Sequence, residues 1–331
     1  MQATKGLQLV LLLGATLTCL AFLNKYPNIS YKVDKSDFLP LANNVLHFKS
    51  TKLNKISLQR LESKIQQRLK NIEKFCENHN RTRQFETVIS KLIIDVKNGI
   101  SWCPIYKVAS SLWMRRFAKL GGILTNETKE RLEENALQIS TIVNNFYNND
   151  EMNINERLQK LKKTKIFLVV RHPFERLLSA YRDKLEHKEG RDYYYRRFGR
   201  HITYKYRKNK TENTQSEPLF IEFLEFIVKE KYFDEHWIPY TEACLPCDIN
   251  YNYILKFETF EEESRFLLQQ LKLDDKLHSL EKRNSTTKSI LKNYYQQIPV
   301  KLLKKLYNIY EKDFQLFSYT PEEYYSLGKQ D

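Results

Sequence analysis

The sequence predicts an α/β domain in which a largely parallel sheet is flanked by helices, behind an apolar N-terminal segment that anchors it in a membrane. Three observations lead there. Strand-like runs alternate with helical stripes, and one of them, Lys165-Ile-Phe-Leu-Val-Val-Arg171, is the continuous apolar run of a strand buried on both faces. The 331 residues are 41% hydrophobic and 13% aromatic, enough for a substantial core and too rich for a disordered chain. Residues 6–23 carry no charge and approach the roughly 17–25 residues that cross a bilayer.

Residues 1–5 read as a cytoplasmic tail, 6–23 as a transmembrane signal-anchor, 24–55 as a stem and 56–331 as a lumenal domain. A cleaved signal peptide is the rival reading of 6–23, because Cys19 and Ala21 offer a small-x-small site. Either way the chain enters the secretory pathway. Sequons at Asn28, Asn80, Asn126, Asn209 and Asn284 are the expected glycosylation sites of such a domain. Cys76, Cys103, Cys244 and Cys247 permit three pairings in an oxidising lumen. Cys244-Leu-Pro-Cys247 has the spacing of a redox or zinc motif. Without a second Cys-x-x-Cys or a His pair, structural disulfides are the better reading and no metal is expected. Fifty-five Lys and Arg against forty Asp and Glu give a formal charge of +15, which points to nucleic acid, an acidic membrane or a polyanionic substrate. The anchor and the sequons argue against nucleic acid.

In chain order, Leu58, Leu61, Ile65, Leu69, Ile72 and Phe75 fall three or four apart and predict a helix over 56–76. Residues 100–106, interrupted by Pro104, predict a short strand, followed by a loop and a helix at 112–120. Helices occupy 127–163, punctuated by Asn148-Asn-Asp150. After the strand at 165–171, His172-Pro173 opens a helix that runs to 185, with Pro where its missing N–H costs nothing. Residues 181–210 hold eleven Lys and Arg against four Asp and Glu, interleaved with Tyr193, Tyr194, Tyr195, Phe198, Tyr204 and Tyr206. Beyond lie a helix at 219–229, a strand at 253–257, and helices at 259–271 and 297–313.

Two strand-to-helix junctions carry the chemistry. The first, Cys103-Pro-Ile-Tyr-Lys107-Val-Ala-Ser-Ser-Leu-Trp113, sets a Lys and two hydroxyls where a strand ends and a helix begins. Free N–H groups and the helix dipole favour an anion there, and the Lys adds a charge that can follow a leaving-group oxygen. A solvent-facing Lys beside an N-cap Ser is the other reading. The glycines of a nucleoside-triphosphate loop are absent. The second junction, Arg171-His-Pro-Phe-Glu-Arg176-Leu-Leu-Ser179-Ala-Tyr-Arg182, suits a second phosphate through Arg171 and Ser179. Its alternative is a helix start with Glu175 and Arg176 in ordinary surface pairs.

At these segments the sequence resembles the Golgi carbohydrate sulfotransferase family that includes the chondroitin 4-O-sulfotransferases. Lys107-Val-Ala-Ser-Ser-Leu-Trp113 is similar to that family's 5′-phosphosulfate loop, and residues 171–183 to its 3′-phosphate segment. The blocks Phe198-Gly-x-x-Ile202-x-x-x-Tyr206-Arg207, His236-Trp237-x-Pro239, Cys244-x-Pro-Cys247, Lys256-Phe-Glu-Thr259 and Tyr310-x-x-Asp313-Phe-x-Leu-Phe317 follow its order over about 100–320. Tyr106 departs from the family's usual Pro, Ser111-Leu112 from its Thr-Asn, and His172 from its acid.

The resemblance implies a P-loop-like sulfotransferase fold in a Golgi, single-pass type II membrane glycoprotein. It also implies 3′-phosphoadenosine 5′-phosphosulfate as donor. Lys107, with Val108, Ala109, Ser110 and Ser111, would bind the phosphosulfate and assist departure of its bridging oxygen. Arg171 and Ser179 would hold the 3′-phosphate, and no metal is implied. The base for the acceptor hydroxyl is assigned to His236, with a satisfied core histidine as the other reading and Glu258 and His172 as alternative bases. Arg196, Arg197 and Arg200 are the expected acceptor contacts, their cations meeting sulfates or carboxylates while neighbouring rings stack on sugar faces. The acceptor is then a glycan, a polyanionic glycosaminoglycan such as chondroitin. The alternative is a catalytically inactive lumenal protein that binds acidic glycans.

Overall fold

Helix α1 (Lys55–Cys76) begins where the Asn54 side chain accepts from Ser57 N at 2.9 Å, satisfying one of the free donors of the first turn. Its stripe Leu61, Ile65 and Ile72 is buried, as the spacing predicts, while Phe75 stays 39% exposed. The computed structural model describes residues 52–77, 82–134, 138–148, 153–208, 215–277 and 287–330. The expected tail and anchor, most of the stem, and the sequons at Asn28, Asn80, Asn209 and Asn284 lie outside the described residues. Among the described residues, no helix is long and apolar enough to cross a membrane. Asn126 is described, exposed at the start of a short helix.

After α2 (Phe85–Lys91) the sheet opens with β1 (Ile93–Asp95), which pairs antiparallel with β2 (Ile100–Trp102) across a turn where Gly99 takes φ +66°. Sequence reasoning missed β1, because a three-residue strand buried at every position shows no alternation. Helices α3 (Ser110–Leu120), α4 (Asn126–Glu133), α5 (Ile139–Asn148) and α6 (Ile154–Leu161) lead to β3 (Lys165–Val170). β3 is buried from Ile166 to Val170 and pairs parallel with β2 on one side and with β4 (Tyr253–Lys256) on the other. Between β3 and β4 run α7 (Pro173–Lys184), α8 (Asp192–Tyr194), a π-turn (Tyr195–Gly199), α9 (Arg200–Tyr206), α10 (Phe220–Glu230) and α11 (Tyr240–Ala243). A 3₁₀ turn (Phe257–Thr259), α12 (Phe260–Gln270), α13 (Asp274–Leu277), α14 (Thr287–Tyr295), α15 (Val300–Leu316) and α16 (Glu322–Leu327) follow β4. The sheet order is β1-β2-β3-β4, so the parallel sheet flanked by helices is present, with one antiparallel edge strand added.

Two apolar clusters hold these layers. Around the sheet, Trp102 stacks on Phe117 at 5.8 Å and on Phe167 at 6.1 Å, joining β2, α3 and β3. The second cluster packs α7, α10 and α15 through Phe174, Phe223, Trp237 and Phe314. Large buried rings of this kind dominate a core's burial energy. The 236–239 and 310–317 blocks meet here: Tyr310 donates to Trp237 O at 2.5 Å, and buried Asp313 accepts from Tyr240 N at 2.8 Å and Thr241 N at 3.0 Å.

The cysteines pair as Cys76–Cys247 and Cys103–Cys244. The two members of Cys244-Leu-Pro-Cys247 therefore go to different partners, one at the end of α1 and one just beyond β2.

Candidate active site

Because β2, β3 and β4 run parallel, their carboxyl ends share one edge of the sheet, where ligands of open α/β sheets bind. The loop after β2 is bent by two left-handed residues, Lys107 at φ 71° and Ala109 at φ 66°, a conformation that side chains other than glycine rarely adopt. Helix α3 consequently starts at Ser110, two residues before the periodicity alone indicates. The N–H groups of Val108, Ala109, Ser110 and Ser111 meet no acceptor among the described residues, and they lie at the positive end of an eleven-residue helix. Val108 is fully buried and packs the loop down, while Ser111 is exposed. The Lys107 ammonium is 2.9 Å from Asp183 Oδ2, at the far end of α7. Burial lowers the Lys107 pKa, and Asp183 opposes that shift.

Arg171 leaves β3 with its side chain 2% exposed and its guanidinium 4.6 Å over the Phe257 ring. Its fork is held by Glu175, from Nε at 3.2 Å and Nη2 at 3.1 Å, and Nη1 reaches the Lys107 carbonyl at 3.4 Å. The two junctions are thus tied through the backbone of Lys107. Ser179 is half-buried two turns along α7, and no hydrogen bond joins it to Arg171. Arg176 is no surface pair. It is buried and donates to the carbonyls of Tyr106 at 3.1 Å, Ile238 at 2.6 Å and Glu235 at 3.4 Å.

Those carbonyls bring the 234–238 segment beside the loop. His236 is 3% exposed, stacks on the Tyr106 ring at 4.5 Å, and meets Asp234 Oδ1 through Nδ1 at 2.6 Å. An ionised carboxylate can only accept, so Nδ1 carries the proton and the lone pair lies on Nε2, which has no hydrogen bond among the described residues. Burial lowers the His236 pKa most, Asp234 pulls it up, and Lys184 adds to the lowering, so the ring is neutral near pH 7. Burial pushes the Tyr106 hydroxyl up to about 12, with Glu235 adding to the effect. Tyr194 closes the far side, its hydroxyl 3.3 Å from His236 Nδ1 and its ring under Lys184.

The alternative bases are occupied. His172 caps α7 by accepting from Phe174 N at 3.2 Å through Nδ1, so Nε2 donates to Thr320 O at 2.9 Å, and burial pushes its pKa down to about 4. Glu258 accepts from His172 N at 2.8 Å and from the Tyr319 hydroxyl at 2.9 Å.

Arg196, Arg197 and Arg200 are all exposed. Arg197 alone of the three reaches the cluster, 3.8 Å from Asp234 and 2.6 Å from the Tyr193 hydroxyl. Sequence reasoning missed Asp183, Asp234, Arg176 and Tyr194. Asp234 was the findable one, since an acid two residues before a candidate base is an orienting group by spacing.

Residues 90–320 match the model of the sulfotransferase family. The chain is 30% identical to carbohydrate sulfotransferase 11 of Mus musculus over 249 residues, 72% of this chain and 70% of that one. It is 32% identical to carbohydrate sulfotransferase 12 of Xenopus laevis over 287 residues, covering 77% and 68%. It is 29% identical to carbohydrate sulfotransferase 9 of Homo sapiens over 316 residues, covering 90% and 67%. No solved structure matches. The family match takes in every strand and every side chain of the site, and the chain belongs to the sulfotransferase family and is a sulfotransferase enzyme.

Proposed function

We propose that this enzyme transfers the sulfuryl group of 3′-phosphoadenosine 5′-phosphosulfate to a hydroxyl of a glycan, in the Golgi lumen, from a single-pass type II anchor at 6–23. The observation that carries the reading is the meeting of two chemistries on one sheet edge. Lys107, with the unbonded N–H groups of Val108–Ser111, suits an anion, and His236, oriented by Asp234, suits a proton acceptor.

In the reaction, the acceptor oxygen forms a bond to sulfur as the bond from sulfur to the bridging phosphate oxygen breaks, leaving 3′-phosphoadenosine 5′-phosphate. His236 Nε2 takes the hydroxyl proton. Lys107 and the loop N–H groups, with Ser110 and Ser111, stabilise the charge that grows on the departing phosphate, as in phosphoryl transfer, where positioning and electrostatics dominate. Arg171 and Ser179 serve the 3′-phosphate. The exposed Arg196, Arg197 and Arg200 favour a polyanionic acceptor, a glycosaminoglycan such as chondroitin. The Cys76–Cys247 and Cys103–Cys244 bonds suit an oxidising compartment.

The test is incubation of the enzyme with ³⁵S-labelled donor and a panel of desulfated glycans. Label in one glycosaminoglycan supports the reading. Donor-independent binding of acidic glycans with no transfer replaces it by the lectin alternative.

A further inference from the structure

We propose that Asp183 is a positioning residue for sulfuryl transfer, its carboxylate holding the Lys107 ammonium in place and in its charged form. The proposal rests on the reading of Lys107 as the group that meets the phosphosulfate. Asp183 lies in the last turn of α7, and Lys107 in the loop after β2, so the contact joins two elements that are 76 residues apart in sequence. Both carboxylate oxygens are engaged: Oδ2 accepts from Lys107 Nζ at 2.9 Å with Lys184 Nζ 3.3 Å away, and Oδ1 accepts from Arg191 Nη2 at 3.0 Å. Arg191 Nε also donates to the Asp183 carbonyl at 2.6 Å, so the carboxylate is fixed from behind while it faces the lysine.

The surroundings show why Lys107 needs this partner. Its side chain is 17% exposed, and the charged or titratable groups about it are Arg171 and Lys184 on the α7 side, His236 from the 234–238 segment, and Asp183. Burial is the largest effect and favours the neutral amine; Lys184 and Arg171 act in the same direction, and Asp183 acts against them. Burial would also neutralise Asp183, but Lys107, Lys184 and Arg191 together hold its carboxyl well below the usual carboxylate range. The carboxylate is therefore charged across the working pH range. Removing it lowers the Lys107 pKa further, and the loss must appear as pH rises.

The experiment compares the wild-type enzyme with Asp183→Asn, Asp183→Glu and Lys107→Ala, recording donor KM and kcat from pH 6 to 9.5 and the fold by circular dichroism and melting. In Asp183→Asn the amide oxygen can still accept from Lys107 Nζ, so the position is kept and the donor KM at pH 6 should match or fall below wild type, because a charge that repels the anionic donor is gone. At pH 9 its kcat should fall and its donor KM should rise several-fold against wild type, because the alkaline limb has moved to lower pH. Asp183→Glu should restore the limb. If Asp183→Asn does not fold, Asp183→Ser carries the same test. A loss that is uniform across pH in a folded variant, or no change, overturns the proposal. Near wild-type turnover in Lys107→Ala overturns instead the reading of Lys107 on which it rests, whereas an inactive Lys107→Ala beside an unshifted Asp183→Asn limb defeats the role of Asp183 alone.

Discussion

The carboxylate of Asp234 lies 2.6 Å from Nδ1 of His236, in a pocket where both side chains are nearly inaccessible. The pairing fixes the tautomer and leaves Nε2 as the basic atom, the relation of an orienting acid to a general base. His236→Ala should lower kcat by about 10²–10⁴-fold, the range of general-base contributions, with donor KM little changed. Wild-type kcat in a folded His236→Ala enzyme would return the imidazole to the role of a satisfied core histidine.

The pH dependence follows from the same contacts. A base acts when neutral, and burial holds the His236 pKa below its ordinary value, so the acid limb of kcat/KM should lie at lower pH than an ordinary imidazole would give. Asp234 raises that pKa, so Asp234→Asn should move the acid limb to still lower pH while reducing the plateau. A limb that moves upward in this variant contradicts the assignment.

Arg176 braces the site from beneath. Its guanidinium donates to the carbonyls of Tyr106, Ile238 and Glu235, and a Met of similar size would leave buried acceptors unpaired. Arg176→Met should cost about 3 kcal/mol or more in urea denaturation, since three carbonyls lose their donor and each unsatisfied group costs about 1–3 kcal/mol. Because Tyr106 adjoins Lys107, the donor KM should rise as well. A stability change within about 0.5 kcal/mol, the scale of surface substitutions, contradicts the brace.

Among the three expected acceptor cations, Arg197 stands apart. Replacing Arg196, Arg197 and Arg200 together by Ala should raise the acceptor KM, more strongly at low salt, with the donor KM little moved. Arg197→Ala alone should also lower kcat, because its guanidinium is 3.8 Å from Asp234. Equal losses toward donor and acceptor would mean these cations serve folding or solubility.

The disulfides close loops whose ends are 171 and 141 residues apart. Each contributes about 5 kcal/mol in the chain-entropy model, although the nested loops are not additive. The Cys103→Ser, Cys244→Ser double variant should therefore melt well below wild type. A non-reduced digest should yield linked peptides for Cys76–Cys247 and Cys103–Cys244, and a Cys244–Cys247 bridge would contradict the connectivity.

Much of this architecture was legible in the sequence, because the signals were local. The apolar run of β3 and the Pro at the start of α7 announce themselves within a few residues, as does the stripe of α1. The Lys107 and Arg171 junctions were legible for the same reason, being loops between a recognisable strand and a recognisable helix. What stayed hidden depends on distant pairing. Nothing near Asp183 signals that it meets Lys107, and the cysteine spacing, which gives structural disulfides, leaves open that Cys244 and Cys247 belong to different bridges. Arg176 reads from the sequence as a member of an ordinary surface pair and is instead buried by the fold of 234–238 over the β2 loop. His172, weighed as a base, is consumed as a helix cap inside an aromatic cage of Phe174, Phe314, Tyr319 and Tyr324.

The most direct test of the central claim is the rate of ³⁵S transfer from 3′-phosphoadenosine 5′-phosphosulfate to a desulfated glycosaminoglycan, measured side by side for the wild-type enzyme and a folded Lys107→Ala variant. Transfer by the wild type and a loss of about 10²–10³-fold in kcat for the variant are expected, the effect of removing one donor from a developing oxyanion. Equal rates in the two proteins, or no transfer by the wild type to any glycan of the panel, would contradict that claim.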